Sequence, residues 1–123
     1  MAFESDRETT LEADETQDLI SSEKVDGTAV YSPDGEKLGS IHHLMVGKRD
    51  GKVRYAVLNL GGLFGGDYHP LPWDQLTYST ELDGYQIELT KEQLKNSPSF
   101  SRDSEPAYSR EYDRKIDNYY ARG

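Results

Sequence analysis

Three histidines are the side chains best suited to move a proton near neutral pH or to hold a metal ion: His42, His43 and His69. Asp67 stands two residues before the last of them. Neighbouring residues of a strand point to opposite faces, so His42 and His43 are not expected to grip one ion together. Zinc asks for three or four protein ligands. No metal site and no cofactor are therefore assigned. The glycine-rich run Gly61-Gly62-Leu63-Phe64-Gly65-Gly66-Asp67 has no Gly-Lys-Ser/Thr ending to cradle a phosphate, and it reads as a crossover loop. Asp34, Asp50 and Asp83 each precede a glycine, where turn chemistry accounts for them. The chain has no cysteine, which excludes disulfides, thiolate metal sites and a cysteine nucleophile. It also has no Gly-x-Ser-x-Gly nucleophile motif, and an enzyme is not expected.

The remaining candidates are apolar. Leu63 and Phe64 stand within the glycine-rich loop as an apolar pair of the kind that marks a contact surface. Tyr108, Tyr112, Ile116, Tyr119 and Tyr120 follow at steps of four, four, three and one, which is one face of a helix. Tyrosine is a poor helix former, so this stripe needs a surface to lie on, either the chain's own core or another subunit. These seven residues form the candidate protein interface.

Short strands and tight turns must position them. Thr28–Tyr31 reads as a strand, with Ser32-Pro33-Asp34-Gly35 as the turn after it. Leu38–Val46 is a second strand. Its apolar residues step by three, so a bulge or sharp twist is expected near His42–His43. Lys48–Lys52 is a hairpin turn, and Val53–Leu60 is apolar on both faces, as an interior strand should be. The alternate prolines of Tyr68–Trp73 cannot donate to a ladder and place that segment at an edge. Asp74–Tyr78 begins another strand, and Tyr85, Ile87 and Leu89 alternate with polar residues. Thr90 with Gln93 spells a capping box for a short helical turn. A last helix is predicted over about residues 105–120, capped by Ser104 with Pro106 in its first turn. Val30, Ile41, Val57, Trp73 and Ile87 are the expected buried middle, with Trp73 packed either in the core or at the barrel rim.

In that order and spacing, several pieces resemble the PRC-barrel family. They are Gly27-Thr28-Ala29-Val30-Tyr31, Gly35-Glu36-Lys37-Leu38-Gly39-Ser40-Ile41, Leu44-Met45 and Gly51-Lys52-Val53-Arg54-Tyr55-Ala56-Val57-Leu58. Gly61-Gly62 and Pro70-Leu71-Pro72-Trp73 complete the match, which spans about residues 19–100. The resemblance implies a mainly β fold: a small antiparallel PRC-type β-barrel with short C-terminal helices. It looks closest to stand-alone bacterial members. The family is similar in fold to the cytoplasmic domain of the photosynthetic reaction-centre H subunit and to the C-terminal domain of a ribosome-maturation factor. Both act by docking on other proteins, which implies a binding or assembly module without catalysis. The membrane helix of the first and the leading domain of the second have no counterpart here.

The chain has 123 residues and a net charge of −9. Residues 1–20 hold seven acids against one base, which is −6 of that total. The expected organisation is a disordered acidic tail over 1–18, the barrel over 19–100 and a tyrosine-rich helix over 101–123. A net negative chain is repelled by phosphate backbones and anionic lipid, so neither nucleic acid nor a membrane is an expected partner. A thin barrel with an apolar stripe favours a homodimer, with a heterologous protein partner, ribosomal or membrane-bound, as the alternative. A small-ligand or metal-binding barrel is the remaining reading. With no apolar run of membrane length and no signal peptide, the expected location is the cytoplasm.

Overall fold

The computed structural model describes residues 19–61 and 66–121. Six strands form one sheet: β1 (Ala29–Tyr31), β2 (Lys37–Val46), β3 (Val53–Asn59), β4 (Tyr68–Pro72), β5 (Thr77–Ser79) and β6 (Gly84–Gln86). Among the described residues three α-helices accompany them: α1 (Ser22–Val25), α2 (Lys91–Lys95) and α3 (Arg110–Ala121). A 3-10 turn, Trp73–Gln75, joins β4 to β5.

The strands lie in the order β4-β3-β2-β1-β6-β5. β1 to β4 pair antiparallel in succession, and tight turns join the first three of them. The sheet is nevertheless mixed and not purely antiparallel. β6 runs parallel to β1, pairing Val30 with Tyr85 and Tyr31 with Gln86. The chain returns from the far edge before laying β6 down, and that return sets its direction.

The topology also dictates curvature. β4 and β5 are the two outermost strands, so on a flat sheet five strand spacings, about 24 Å, would separate them. Yet only residues 73–76 connect Pro72 to Thr77, a reach of about 18 Å at full extension. The 3-10 turn shortens that reach further. The sheet must therefore curl so that its two edges approach each other.

β3 supplies the centre of the sheet. Tyr55, Ala56, Val57 and Leu58 are buried in succession, so both faces of this strand are covered. Val30, Ile41, Leu71 and Ile87 join the fully buried set. Trp73 does not; it lies half-buried at the rim, edge-on to Tyr85 with ring centroids 5.4 Å apart. β4 is an edge strand, as its prolines demand, and a two-way backbone bridge between Tyr68 and Phe100 partly covers that edge. The capping box forms: Gln93 N–H donates to Thr90 Oγ1 at 3.1 Å, and Thr90 N–H donates to Gln93 Oε1 at 2.9 Å. No helix among the described residues is long and apolar enough to cross a membrane.

Two glycines are required by close approach and not by turn geometry. A Cβ on Gly84 would stand 2.6 Å from the Ala29 carbonyl oxygen and 2.9 Å from the Tyr31 ring, where β6 meets β1. A Cβ on Gly39 would fall on the Asn59 carbonyl oxygen and 2.9 Å from Leu60 Cα, where β2 crosses the end of β3. The clash at Gly39 is with backbone, which cannot swing aside. Gly39→Ala is expected to cost about 1–3 kcal/mol of stability in urea unfolding. A variant as stable as the parent would show that the strands do not cross so closely.

Candidate functional site

The helix α3 carries most of the interface expected from the sequence, and its inner face lies on the chain's own sheet. Ile116 is 0% exposed and Tyr120 4%, both within the main core cluster. Tyr108, Tyr112 and Tyr119 are half-buried against that cluster. The helix and the residues just before it are tied down at several points. Tyr108 meets Tyr55 of β3 with ring centroids 5.9 Å apart. Arg54 of β3 pairs with Asp113 at 3.6 Å. The Tyr119 hydroxyl donates to the backbone carbonyl of Gln93 in the middle of α2. Of the two possible surfaces for the stripe, the described fold uses its own. Leu63 and Phe64 lie outside the described residues, as does the acidic segment 1–18.

α3 begins later than its sequence suggests. Ser109, not Ser104, caps it, its hydroxyl accepting from Tyr112 N–H at 3.2 Å. Pro106 disfavours helical geometry at Glu105, which excludes a start at Ser104. Glu105 instead spans to the sheet, where its carboxylate Oε2 lies 3.3 Å from His43 Nε2 and accepts the Tyr108 hydroxyl at 2.8 Å. Burial and the neighbouring Glu105 carboxylate push the Tyr108 phenol well above its usual range, so it remains a donor at neutral pH. Burial raises the Tyr112 and Tyr120 phenols as well, with Ser97 pulling the other way on Tyr120.

Strict alternation predicts His42 and His43 on opposite faces, and the structure brings them together. The register against β3 slips between Ile41, opposite Leu58, and His43, opposite Val57. His42 is the extra residue of this bulge, and a bulge re-aims its side chain. The two Nδ1 atoms lie 2.7 Å apart. His42 also stacks on Tyr68, with centroids 4.6 Å apart, while Arg102 sits over the Tyr68 ring at 5.7 Å. Among the described residues no three His, Cys, Asp or Glu side chains form a metal cluster.

The third histidine forms a pair that the sequence does not reveal. His69 on β4 is 1% exposed, and its Nδ1 lies 2.9 Å from the Ser97 hydroxyl oxygen. The composition resembles a base beside a nucleophile, but the proton runs the wrong way. Ser97 donates its own proton to the Leu94 carbonyl at 2.6 Å, so it accepts from His69 Nδ1–H. Ser97 is itself only 5% exposed, so no substrate reaches the pair. It is a strut between β4 and the end of α2. Two such residues, 28 apart in sequence, carry no local signal of their contact.

Burial lowers the His69 pKa below 6.5, with the Asp67 carboxylate opposing weakly. The unfolded chain therefore takes up a proton that the folded chain refuses. This contribution to stability is intact above the unfolded value and declines as pH falls through and below it. Urea unfolding between pH 8 and 5 is expected to show that decline, with a slope of at most about 1.4 kcal/mol per pH unit from this group. His69→Gln should flatten it; an unchanged slope in that variant would locate the effect elsewhere.

Known proteins place this geometry in a family. The model of the PRC-barrel domain matches residues 17–94, more than half of the chain. An uncharacterised protein of Deinococcus radiodurans is 31% identical over 87 residues, a match that covers 69% of this chain and 30% of that protein. The chain thus corresponds to less than a third of that relative's length. With the curled six-stranded sheet, its glycine-dependent crossings and its edge of alternate prolines, the chain belongs to the PRC-barrel domain family.

Proposed function

We propose that this protein is a non-catalytic docking module that recognises a protein partner with the outer surface around α3, and that a second copy of itself is that partner. The supporting observation is the half-exposed tyrosine row. Ile116 and Tyr120 anchor α3 from beneath, while Tyr108, Tyr112 and Tyr119 keep part of each ring at the surface. Tyrosine rings anchored in this way offer large, rigid contact area at small entropic cost. Leu63 and Phe64 are assigned to the same contact by their composition. In this reading the curled sheet closes into a barrel, a rigid support with no chemistry of its own.

The partner-facing charges of α3 are mixed. Glu111, Arg114, Lys115 and Asp117 offer both signs along the helix, and Lys115 is exposed. Such alternation suits a symmetric contact, in which each copy meets the other's opposite charges. A cytoplasmic location belongs to the same proposal and rests on the chain's composition.

Sedimentation over a wide concentration range tests the proposal. A reversible dimer is expected, and Lys115→Glu should weaken it at least tenfold while leaving the unfolding midpoint of the dilute monomer nearly unchanged, because Lys115 is exposed. A chain that stays monomeric at millimolar concentration would remove self-association. A dimer indifferent to Lys115→Glu would move the contact away from α3.

A further inference from the structure

The bulge in β2 creates an arrangement that the docking role does not use. The Glu105 carboxylate only accepts hydrogen bonds, so at 3.3 Å it requires the His43 proton to sit on Nε2. His43 Nδ1 then presents a lone pair, and across 2.7 Å it must accept from His42 Nδ1–H. Two imidazole nitrogens thus converge at the surface, with His42 exposed and His43 half-buried. One of them is oriented by a carboxylate on its far nitrogen. That is the outer-shell arrangement found behind metal-bound imidazoles, where the carboxylate fixes tautomer and ring angle.

We propose that His42 and His43 form a bidentate imidazole site for a tetragonal divalent cation, Cu(II) above all, bound through the two Nδ1 atoms with Glu105 as the orienting group. The separation, set in the free protein by the shared proton, is short enough for a chelate, and among divalent ions an imidazole pair favours Cu(II) by the Irving–Williams order. With metal–nitrogen bonds of about 2.0–2.1 Å, ligands at a right angle stand about 2.9 Å apart, whereas tetrahedral ligands stand about 3.4 Å apart. Opening the 2.7 Å contact to the right-angle value takes a smaller movement than opening it to the tetrahedral one. Right angles are the preference of Cu(II) and Ni(II), and the tetrahedron that of zinc. Binding needs a tilt of each ring and a shift of the His42 proton from Nδ1 to Nε2. Both rings stay neutral, so no proton leaves when the pair starts neutral.

Water fills the remaining positions, since no third His, Cys, Asp or Glu side chain completes a cluster among the described residues. The charges around the pair oppose each other. Glu105 faces His43, while Arg102 lies over the Tyr68 ring on which His42 stacks.

Cu(II) alone, titrated into the full-length chain in a non-coordinating buffer, tests the site by calorimetry and electron paramagnetic resonance. One equivalent is expected, with a tetragonal spectrum split by two nitrogens. His42→Ala and His43→Ala should each weaken binding at least tenfold, and Glu105→Gln about tenfold. His69→Gln should leave it unchanged, because that ring is buried elsewhere. Zn(II) should bind more weakly than Cu(II) and Ni(II). Absence of a stoichiometric site, a spectrum with one nitrogen, or copper binding that survives His42→Ala would overturn the proposal.

Discussion

A strand that is apolar on both faces must be covered on both, and β3 imposes that demand on this chain. Four consecutive residues, Tyr55 to Leu58, are buried. Curling the sheet covers one face of such a strand, because side chains from the neighbouring strands then converge inside it. The other face needs further cover, and the C-terminal segment contributes to it: Tyr108, just ahead of α3, packs on Tyr55, while α3 itself lies against β4. Ile116 and Tyr120 enter the core cluster. Burying one such apolar side chain is worth about 1.5–3 kcal/mol, a large share of the stability of a domain this small. The C-terminal helix is in this sense part of the domain, although the family match ends at residue 94.

That requirement shapes the segment before the helix. Residues 101–109 must travel from the β4 edge, where Phe100 bridges Tyr68, to the start of α3. They are held on the way by Glu105 at His43 and by Arg102 over Tyr68. The polar contacts around the two surface histidines therefore also route the chain. The buried His69–Ser97 strut does the same on the inside, tying β4 to the end of α2. Neither arrangement places a nucleophile beside a base at the surface.

Local signals are the legible ones. The Thr90 capping box, the edge position of the proline strand and the bulge near His42 all follow from residue types at short range, and all are present. Sequence reasoning fails where distant parts of the chain decide. The parallel pairing of β1 with β6 depends on a return path that two three-residue strands cannot encode. The helix starts at Ser109 and not at Ser104 because Glu105, ahead of a proline, is held by a histidine 62 residues away. Strict alternation separates His42 from His43, and the bulge expected at the same place is what cancels that separation. Its size and type leave Trp73 between the core and the rim, and the turn joining β4 to β5 holds it at the rim. The tyrosine stripe is legible as a helix face, while the surface beneath it is not, since periodicity says only that one is needed.

The central claim is that α3 seals its own sheet. Mixed isotope labelling tests it directly: equal parts of labelled and unlabelled chain are combined, and nuclear Overhauser contacts of the Ile116 methyls and the Tyr120 ring are sorted into those within a chain and those between chains. The account predicts strong contacts from both residues to the sheet within one chain, and none between chains. Contacts found only between chains, or absent altogether, would contradict it.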